Sequence, residues 1–321
     1  MSTTPSIFRK PRAPYTVIGG PRVDRIRRSQ PLLSVVLLNR GGRFYRRELL
    51  EELAAAGVGE VISVEGPKVS YDIEPLSREL PEVRFLLLQE EASTGEKINL
   101  AMGEVRSRVV LVLWTDMKLS RTSGLELLAG RMEQGDCLCL VPELRNPGGE
   151  AVPSIQLPTL IRRRLQVIPL APRQSGMRSL FPFDYCGLYS KARFQLCGGF
   201  DPWMRTPYWQ KLDFGLRASL WGETILGDSS FQVAYTAEQS PEDNTPDWSY
   251  KLFYLKNMAV RFDGEMGVLS RRGFPAYALR SGSGLLESIR EFREVQGWVW
   301  ENRFRFKSDV SSLVAHWEVP E

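Results

Sequence analysis

Short apolar runs alternate with segments of helical period over most of the chain. LLSVVLL (32–38) is a continuous apolar run, the pattern of a strand covered on both faces, and it implies a parallel sheet. RRELLEELAAAG (46–57) places apolar residues at helical spacing and stops at a glycine. GEVISVEG (59–66) then reads as a second strand. RFLLLQE (84–90) predicts a third strand, GEKINLAMGEVRS (95–107) a helix, and RVVLVLW (108–114) a fourth strand running into Thr115, Asp116 and Met117. A strand and helix series of this kind predicts an open α/β sheet, whose ligands bind beyond the carboxyl ends of the strands.

Beyond Leu119 the period weakens. A helix is predicted in 123–135 and a strand in 136–144, while the Pro- and Arg-rich stretch up to about residue 180 reads as a candidate mobile loop. Pattern returns in FPFDYCGLYSKARFQLCGGFDP (181–202), in a helix over 208–223 ending near Gly222, and in the strand-like SSFQVAYTAE (229–238). From about Phe262 the chain predicts a helical C-terminal extension with one amphipathic helix, GLLESIREFREVQGWVWENRF (284–304). The expected organisation is a flexible basic arm over 1–30, a nucleotide-binding half over 31–118, an acceptor-binding half of the same domain over 119–261, and the extension over 262–321.

Composition sharpens this picture mainly by exclusion. With 321 residues, 43% hydrophobic and 25% charged, the chain can bury a sizeable core. Its net charge of +4 is spread along the chain, so no specific nucleic-acid partner is expected, and an anionic ligand or peripheral contact with an anionic membrane fits as well. Cys137, Cys139, Cys186 and Cys197 form no CxxC pair, and with one histidine, His316, zinc lacks ligands. Cys137 and Cys139 lie two apart on one face of a strand, as a buried apolar pair would. No run reaches the roughly 18 to 20 apolar residues that cross a bilayer. The expected location is therefore cytoplasmic, with the inner face of the membrane as the site of any peripheral contact.

An apolar strand ending in a carboxylate, as in VVLVLWTDMKL, offers Asp116 as a hard oxygen ligand for Mg2+ or Mn2+ held against a diphosphate. The same residue suits a turn or a helix cap. Over about 32–260 the order of motifs resembles the family 2 glycosyltransferases of the GT-A fold. Asn39 and Arg40 match the polar turn after the first strand and Glu65 the acidic end of the second. Gly95 and Asn99, flanking Lys97, match a glycine loop and an Asn-bearing helix, and Trp114, Thr115 and Asp116 match the Asp-any-Asp motif. Gly198, Gly199, Phe200 and Asp201 then match a Gly-Gly-Phe-Asp element. Trp209, Gln210, Lys211, Leu212, Asp213 and Arg217 match a helix that in the family begins Trp-Glu-Asp.

The resemblance implies an α/β GT-A fold with a mostly parallel central sheet flanked by helices. It further implies transfer of a monosaccharide from a nucleoside diphosphate sugar to a glycan or lipid hydroxyl, nonprocessive and assisted by a divalent cation on Asp116. Asn39, Arg40, Glu65, Gly95, Lys97, Asn99, Thr115 and Asp116 would hold the donor. Gly187, Trp209 and Gln210 would meet the acceptor. The departures bear on catalysis: Trp114 replaces an acidic residue, Tyr235 lies where the family often has histidine, and Lys211 stands where the family has its base. An ammonium cannot accept the acceptor's proton. Three readings of Lys211 stay open. It lies on a solvated face while Asp213 or Asp201 serves as base, it supplies charge at the diphosphate, or turnover is lost and a nucleotide-sugar-binding or scaffold protein remains. A sugar nucleotidyltransferase is a third function, suggested faintly by NRGGR (39–43).

Overall fold

The computed structural model describes residues 13–20, 31–40, 46–56, 58–67, 73–120, 124–162 and 164–318. In chain order the first half contains β1 (Tyr15–Gly19), β2 (Leu33–Leu38), α1 (Arg46–Ala55), β3 (Glu60–Glu65), α2 (Ile73–Glu79), β4 (Val83–Leu88), α3 (Thr94–Glu104), β5 (Val109–Trp114) and β6 (Met117–Leu119). It continues with α4 (Leu125–Gln134), β7 (Cys139–Arg145), β8 (Ile155–Ile161), β9 (Arg164–Leu170), β10 (Gly187–Ser190), α5 (Lys191–Leu196), α6 (Pro207–Leu220) and β11 (Ile225–Tyr235). A short helix α7 (Trp248–Phe253) runs into one π-helical turn over Tyr254–Met258. The hairpin strands β12 (Arg261–Phe262) and β13 (Gly267–Val268) and the helices α8 (Phe274–Ser281), α9 (Leu285–Asn302) and α10 (Val310–Ala315) complete the fold.

Nine strands form one sheet in the order β1-β4-β3-β2-β5-β10-β7-β11-β6. β4, β3, β2 and β5 run parallel to their neighbours, as do β7 and β11. β1, β10 and β6 run against theirs. Every residue of β2 is buried. Its side chains alternate between two apolar layers, Val35 and Leu37 in one and Val36 and Leu38 in the other. A strand with helices on both faces needs this unbroken apolar run.

Two expectations change. The segment expected as a basic arm contributes β1, which pairs antiparallel with β4 along Tyr15–Gly19. YTVIG is rich in β-branched and aromatic residues, and this local signal prevails over the polar composition around it. The remaining residues of that arm, 1–12 and 21–30, lie outside the described residues. Within the candidate mobile loop, β8 and β9 form a regular hairpin from Ile155↔Leu170 to Ile161↔Arg164. Pro158 and Pro169 obscure it in the sequence, yet a two-stranded ribbon tolerates proline at positions that donate no ladder bond.

The C-terminal helices share a core with the second half. Ile155, Leu212, Leu216, Phe253, Phe292, Val299 and Trp317 belong to one buried cluster. α6 is its axis: every residue from Trp209 to Leu220 is buried. Proline at its first turn suits a helix start, where a backbone N–H has no helical partner. Gly215 lets this helix approach the backbone before β10, since a Cβ there would stand 2.0 Å from the Leu180 carbonyl oxygen. Gly215→Ala is therefore expected to lower stability by about 1–3 kcal/mol, measured as an earlier urea midpoint with unchanged slope.

Candidate functional site

The chain passes from β2 through β3 to β4 on one side, and β5 then pairs with β2 on the other. Such a reversal opens a crevice at the carboxyl ends of the two central strands. Asn39 and Arg40 continue β2 into it, and Thr115 and Asp116 continue β5. The two ends are tied together: Thr115 N donates to the Leu38 carbonyl at 2.9 Å, and Arg40 N donates to Thr115 Oγ1 at 2.8 Å. Asn39 Nδ2 donates to Glu65 Oε2 at 3.1 Å, and Ser63 Oγ to Glu65 Oε1 at 2.7 Å. These expected donor-site residues therefore meet at one sheet edge.

Arg40 is the hub of this edge. Its Nε and Nη2 donate to Asp116 Oδ2 and Oδ1 at 2.9 and 3.2 Å. Its Nη1 and Nη2 donate to Asp184 Oδ1 and Oδ2 at 3.0 and 2.7 Å. The guanidinium also lies 4.2 Å from the Trp114 ring centroid and 5.9 Å from that of Tyr235. Trp114 Nε1 donates to the Asp184 carbonyl at 2.8 Å, and Tyr235 Oη to Asp184 Oδ2 at 2.9 Å. Trp114 and Tyr235 thus serve as platform and clamp for the Arg40–Asp184 pair. Burial works against the charged guanidinium, but Asp184 and Asp116 outweigh it and raise its pKa. Burial, followed by the Asp184 charge, raises that of the Tyr235 phenol.

Asp184 reaches this place through a strained turn. It and Tyr185 have φ of +51° and +61°, the left-handed region that costs a non-glycine residue about 1–3 kcal/mol. β10, which the turn precedes, is antiparallel to β5, so its start necessarily lies at the carboxyl end of that strand. No local motif marks Asp184 in the sequence.

A divalent cation bonds carboxylate oxygens directly, at about 2.0–2.6 Å. Here all four oxygens of Asp116 and Asp184 accept from Arg40, and Gln239 Nε2 donates to Asp116 Oδ2 at 3.0 Å. Among the described residues no group of three or more His, Cys, Asp or Glu side chains is placed to hold a metal. A divalent ion on Asp116, the expected metal ligand, would have to displace the guanidinium that this carboxylate holds here.

The other expected residues gather below this crevice and are mostly engaged with the protein. Gln210 Oε1 accepts from Gly95 N at 2.8 Å and from Tyr185 Oη at 2.9 Å, while its Nε2 donates to Asp201 O, Met204 O and Ser93 Oγ. Asn99 pairs through both amide atoms with the backbone of Phe200. Trp209 packs in the core and donates to the Thr245 carbonyl at 3.0 Å. Gly187 lies inside the sheet, where a Cβ would stand 2.6 Å from Cys139 Sγ. Gln210, Trp209 and Gly187 therefore present no open face to an acceptor, because each fills a buried position between elements. Lys97 is half-buried on α3.

Lys211 does not lie on a solvated face. Its side chain is 0% exposed, pairs with Glu242, and has the Phe181, Phe183 and Tyr185 rings within 5.3–5.7 Å. Glu242 belongs to the segment after β11 that also brings Gln239 to Asp116. Burial, then Glu242, then Asp184 raise the Tyr185 phenol pKa, so both carboxylates border the same ring. Asp201 and Asp213 share one buried cation: Lys256 Nζ lies 2.7 Å from Asp201 Oδ2 and 3.3 Å from Asp213 Oδ1. Asp213 also accepts from Asn257 Nδ2 at 2.7 Å and from Arg217 Nη2 at 3.2 Å. The π-helical turn aims Lys256 and Asn257 at α6 together, and no residue pattern around Lys256 predicts this. The buried thiols are held protonated, that of Cys137 pushed up to about 11 by burial.

Burial alone would raise the Asp213 pKa, but Lys256 and Arg217 more than offset it, and the folded value lies below the ordinary one. A depressed carboxylate pKa gives stability that is present above the unfolded value of about 3.9 and lost as pH falls through the folded value. Acid unfolding is expected to begin below about pH 4 and to lose this component in Asp213→Asn. Lys256→Met, which leaves two buried carboxylates without their shared cation, is expected to lower stability by about 3–5 kcal/mol in denaturant titration at neutral pH.

No protein-family model matches the sequence, and no curated protein matches it in sequence. Solved structures do match. The crystal structure of GalNAc-T7 with UDP, GalNAc and Mn2+ superposes with a TM-score of 0.57 at 14% identity, over 91% of this chain and 59% of that one. S. aureus TarS superposes with a TM-score of 0.51 at 15% identity, over 82% of this chain and 42% of that one. The chain thus spans about half the length of these proteins. Identities this low speak for architecture alone. The mostly parallel sheet, its flanking helices and these superpositions agree on one conclusion: the chain has the GT-A fold of glycosyltransferases.

Proposed function

We propose that the crevice at the ends of β2, β3 and β5 binds a nucleoside diphosphate sugar and that the chain transfers the sugar to a hydroxyl acceptor, a glycan or a lipid. The observation that carries this reading is the cluster of Asn39, Arg40, Glu65 and Asp116 at the switch point of a GT-A sheet. GalNAc-T7, of the same fold, was crystallised with UDP, which supports the ligand class. Arg40 supplies a planar fork of N–H donors, a geometry suited to phosphate as well as carboxylate. As arranged, its charge is outweighed by Asp116 and Asp184, so a diphosphate would draw the fork away from one of them.

Proton removal from an acceptor hydroxyl needs a carboxylate with an open side. Asp213 and Asp201 are buried and paired, whereas Glu242, beside Lys211, has a side chain 28% exposed. Glu242 is the base in this reading, and Lys211 holds it. A second reading, binding without turnover, is favoured by the pairing of Asp201, Asp213 and Lys211 within the protein.

Calorimetric titration with UDP, GDP, ADP, CDP and TDP, each in EDTA and in Mn2+, tests the donor site. At least one is expected to bind, and Arg40→Ala to weaken it at least about tenfold. Failure of every nucleotide under both conditions overturns the reading. Where donor hydrolysis or transfer is seen, Glu242→Gln is expected to lower kcat by about 10²–10⁴ while nucleotide affinity holds. Nucleotide binding with no hydrolysis or transfer would favour the second reading.

A further inference from the structure

A second concavity lies away from the crevice, between α7 with its π-helical turn on one side and α9 on the other. It encloses about 580 Å3 and is lined by Asp201, Trp203, Trp248, Lys256 and Trp298, among others. That volume falls within the range of about 300–1,000 Å3 common to small-molecule sites. Two of its indoles are open to solvent, Trp203 at 49% and Trp248 at 43%. A large aromatic ring left open inside a concave site favours a flat apolar partner, and the face of a pyranose is one. Trp248 is fixed in advance: its Nε1 donates to Glu291 Oε1 at 3.2 Å, and Tyr277 Oη holds the other oxygen of that carboxylate at 2.6 Å.

The charged lining is mixed, with Lys251, Arg290 and Arg293 set against Glu287, Glu291, Glu294 and Glu301, while Lys256 and Asp201 pair at the floor. Alternating signs provide donors and acceptors for hydroxyl groups but little net field to attract an ion. An uncharged, polyhydroxylated ligand suits this balance better than a nucleotide or a charged peptide.

The cleft is also connected to the crevice. At its floor Lys256 Nζ pairs with Asp201 and stands 4.6 Å from the Trp298 ring centroid. Asp201 O accepts from Gln210 Nε2 at 2.8 Å, and Gln210 Oε1 accepts from Tyr185 Oη at 2.9 Å. Tyr185 adjoins Asp184, which Arg40 holds. One buried series of bonds therefore leads from the carboxylates of the crevice to the floor of the cleft.

We propose that this cleft binds the acceptor as an uncharged oligosaccharide, with Trp203 and Trp248 as its stacking platforms and α9 as the wall that selects it. The role as acceptor rests on the transferase reading above, while saccharide binding itself does not. Full-length protein is titrated with tetrasaccharides of glucose, of mannose and of N-acetylglucosamine, followed by saturation-transfer NMR, with oligoglutamate and oligolysine as charged controls. At least one neutral tetrasaccharide is expected to bind. Trp203→Ala and Trp248→Ala should each weaken it at least about tenfold, Trp→Phe at either position should restore most of the loss, and the affinity of any nucleoside diphosphate that binds should not change. Absence of binding by all three saccharides, binding indifferent to both substitutions, or preference for either charged peptide overturns the proposal. Saccharide binding without any nucleotide binding would keep the cleft and remove the transferase reading. Nucleotide binding without saccharide would do the reverse.

Discussion

The site depends on one guanidinium. Arg40 leaves the end of β2 and is gripped by a carboxylate from the neighbouring strand and by another from a turn about 140 residues later in the chain. Two carboxylates at a sheet edge would repel each other without a cation between them. With Arg40 in place, β2, β5, β10 and β11 converge on a single cluster in which one guanidinium faces two carboxylates. The Trp114 and Tyr235 rings flank its guanidinium.

The second cationic position follows similar physics in a drier setting. Lys211 is enclosed by three aromatic rings and satisfied by Glu242, so an ammonium stands where the family resemblance implies a carboxylate. Around Lys256 the logic is stricter, because Asp201 and Asp213 are both buried and share its ammonium, with Arg217 as a second cation for Asp213. Removing one member of such a group leaves a buried charge uncompensated, so its members depend on one another across α6 and the π-helical turn.

Much of the sheet was legible in the sequence because buried parallel strands must be continuous apolar runs. VVLVLW and LLSVVLL announce themselves, and the residues just after them fall at the crevice as the topology requires. The hairpin β8–β9 was not legible, since its prolines and arginines mask an alternation that only pairing reveals. Asp116 could be named because a strand's end locates it, and Asn39 and Glu65 because the resemblance to the family 2 glycosyltransferases points to them. Asp184, Glu242 and Lys256 could not, because contacts distant in sequence bring each of them to its place: a left-handed turn, a polar segment folded back on Asp116, and a π-helical turn. Gln210 and Asn99 illustrate the converse. Their positions in the motif order were plain, yet their amides are spent bracing backbone.

The turn Phe183–Tyr185 has one more consequence. Its outer residues put their rings against Lys211 and its middle residue puts a carboxylate against Arg40. Three adjacent residues thereby serve two cations at once, in a backbone conformation with little room to adjust. The charges at positions 40 and 211 are thus not independent characters. In a lineage, a change at one would alter which changes at the other survive, so the two should be inherited as a unit even though no bond joins them.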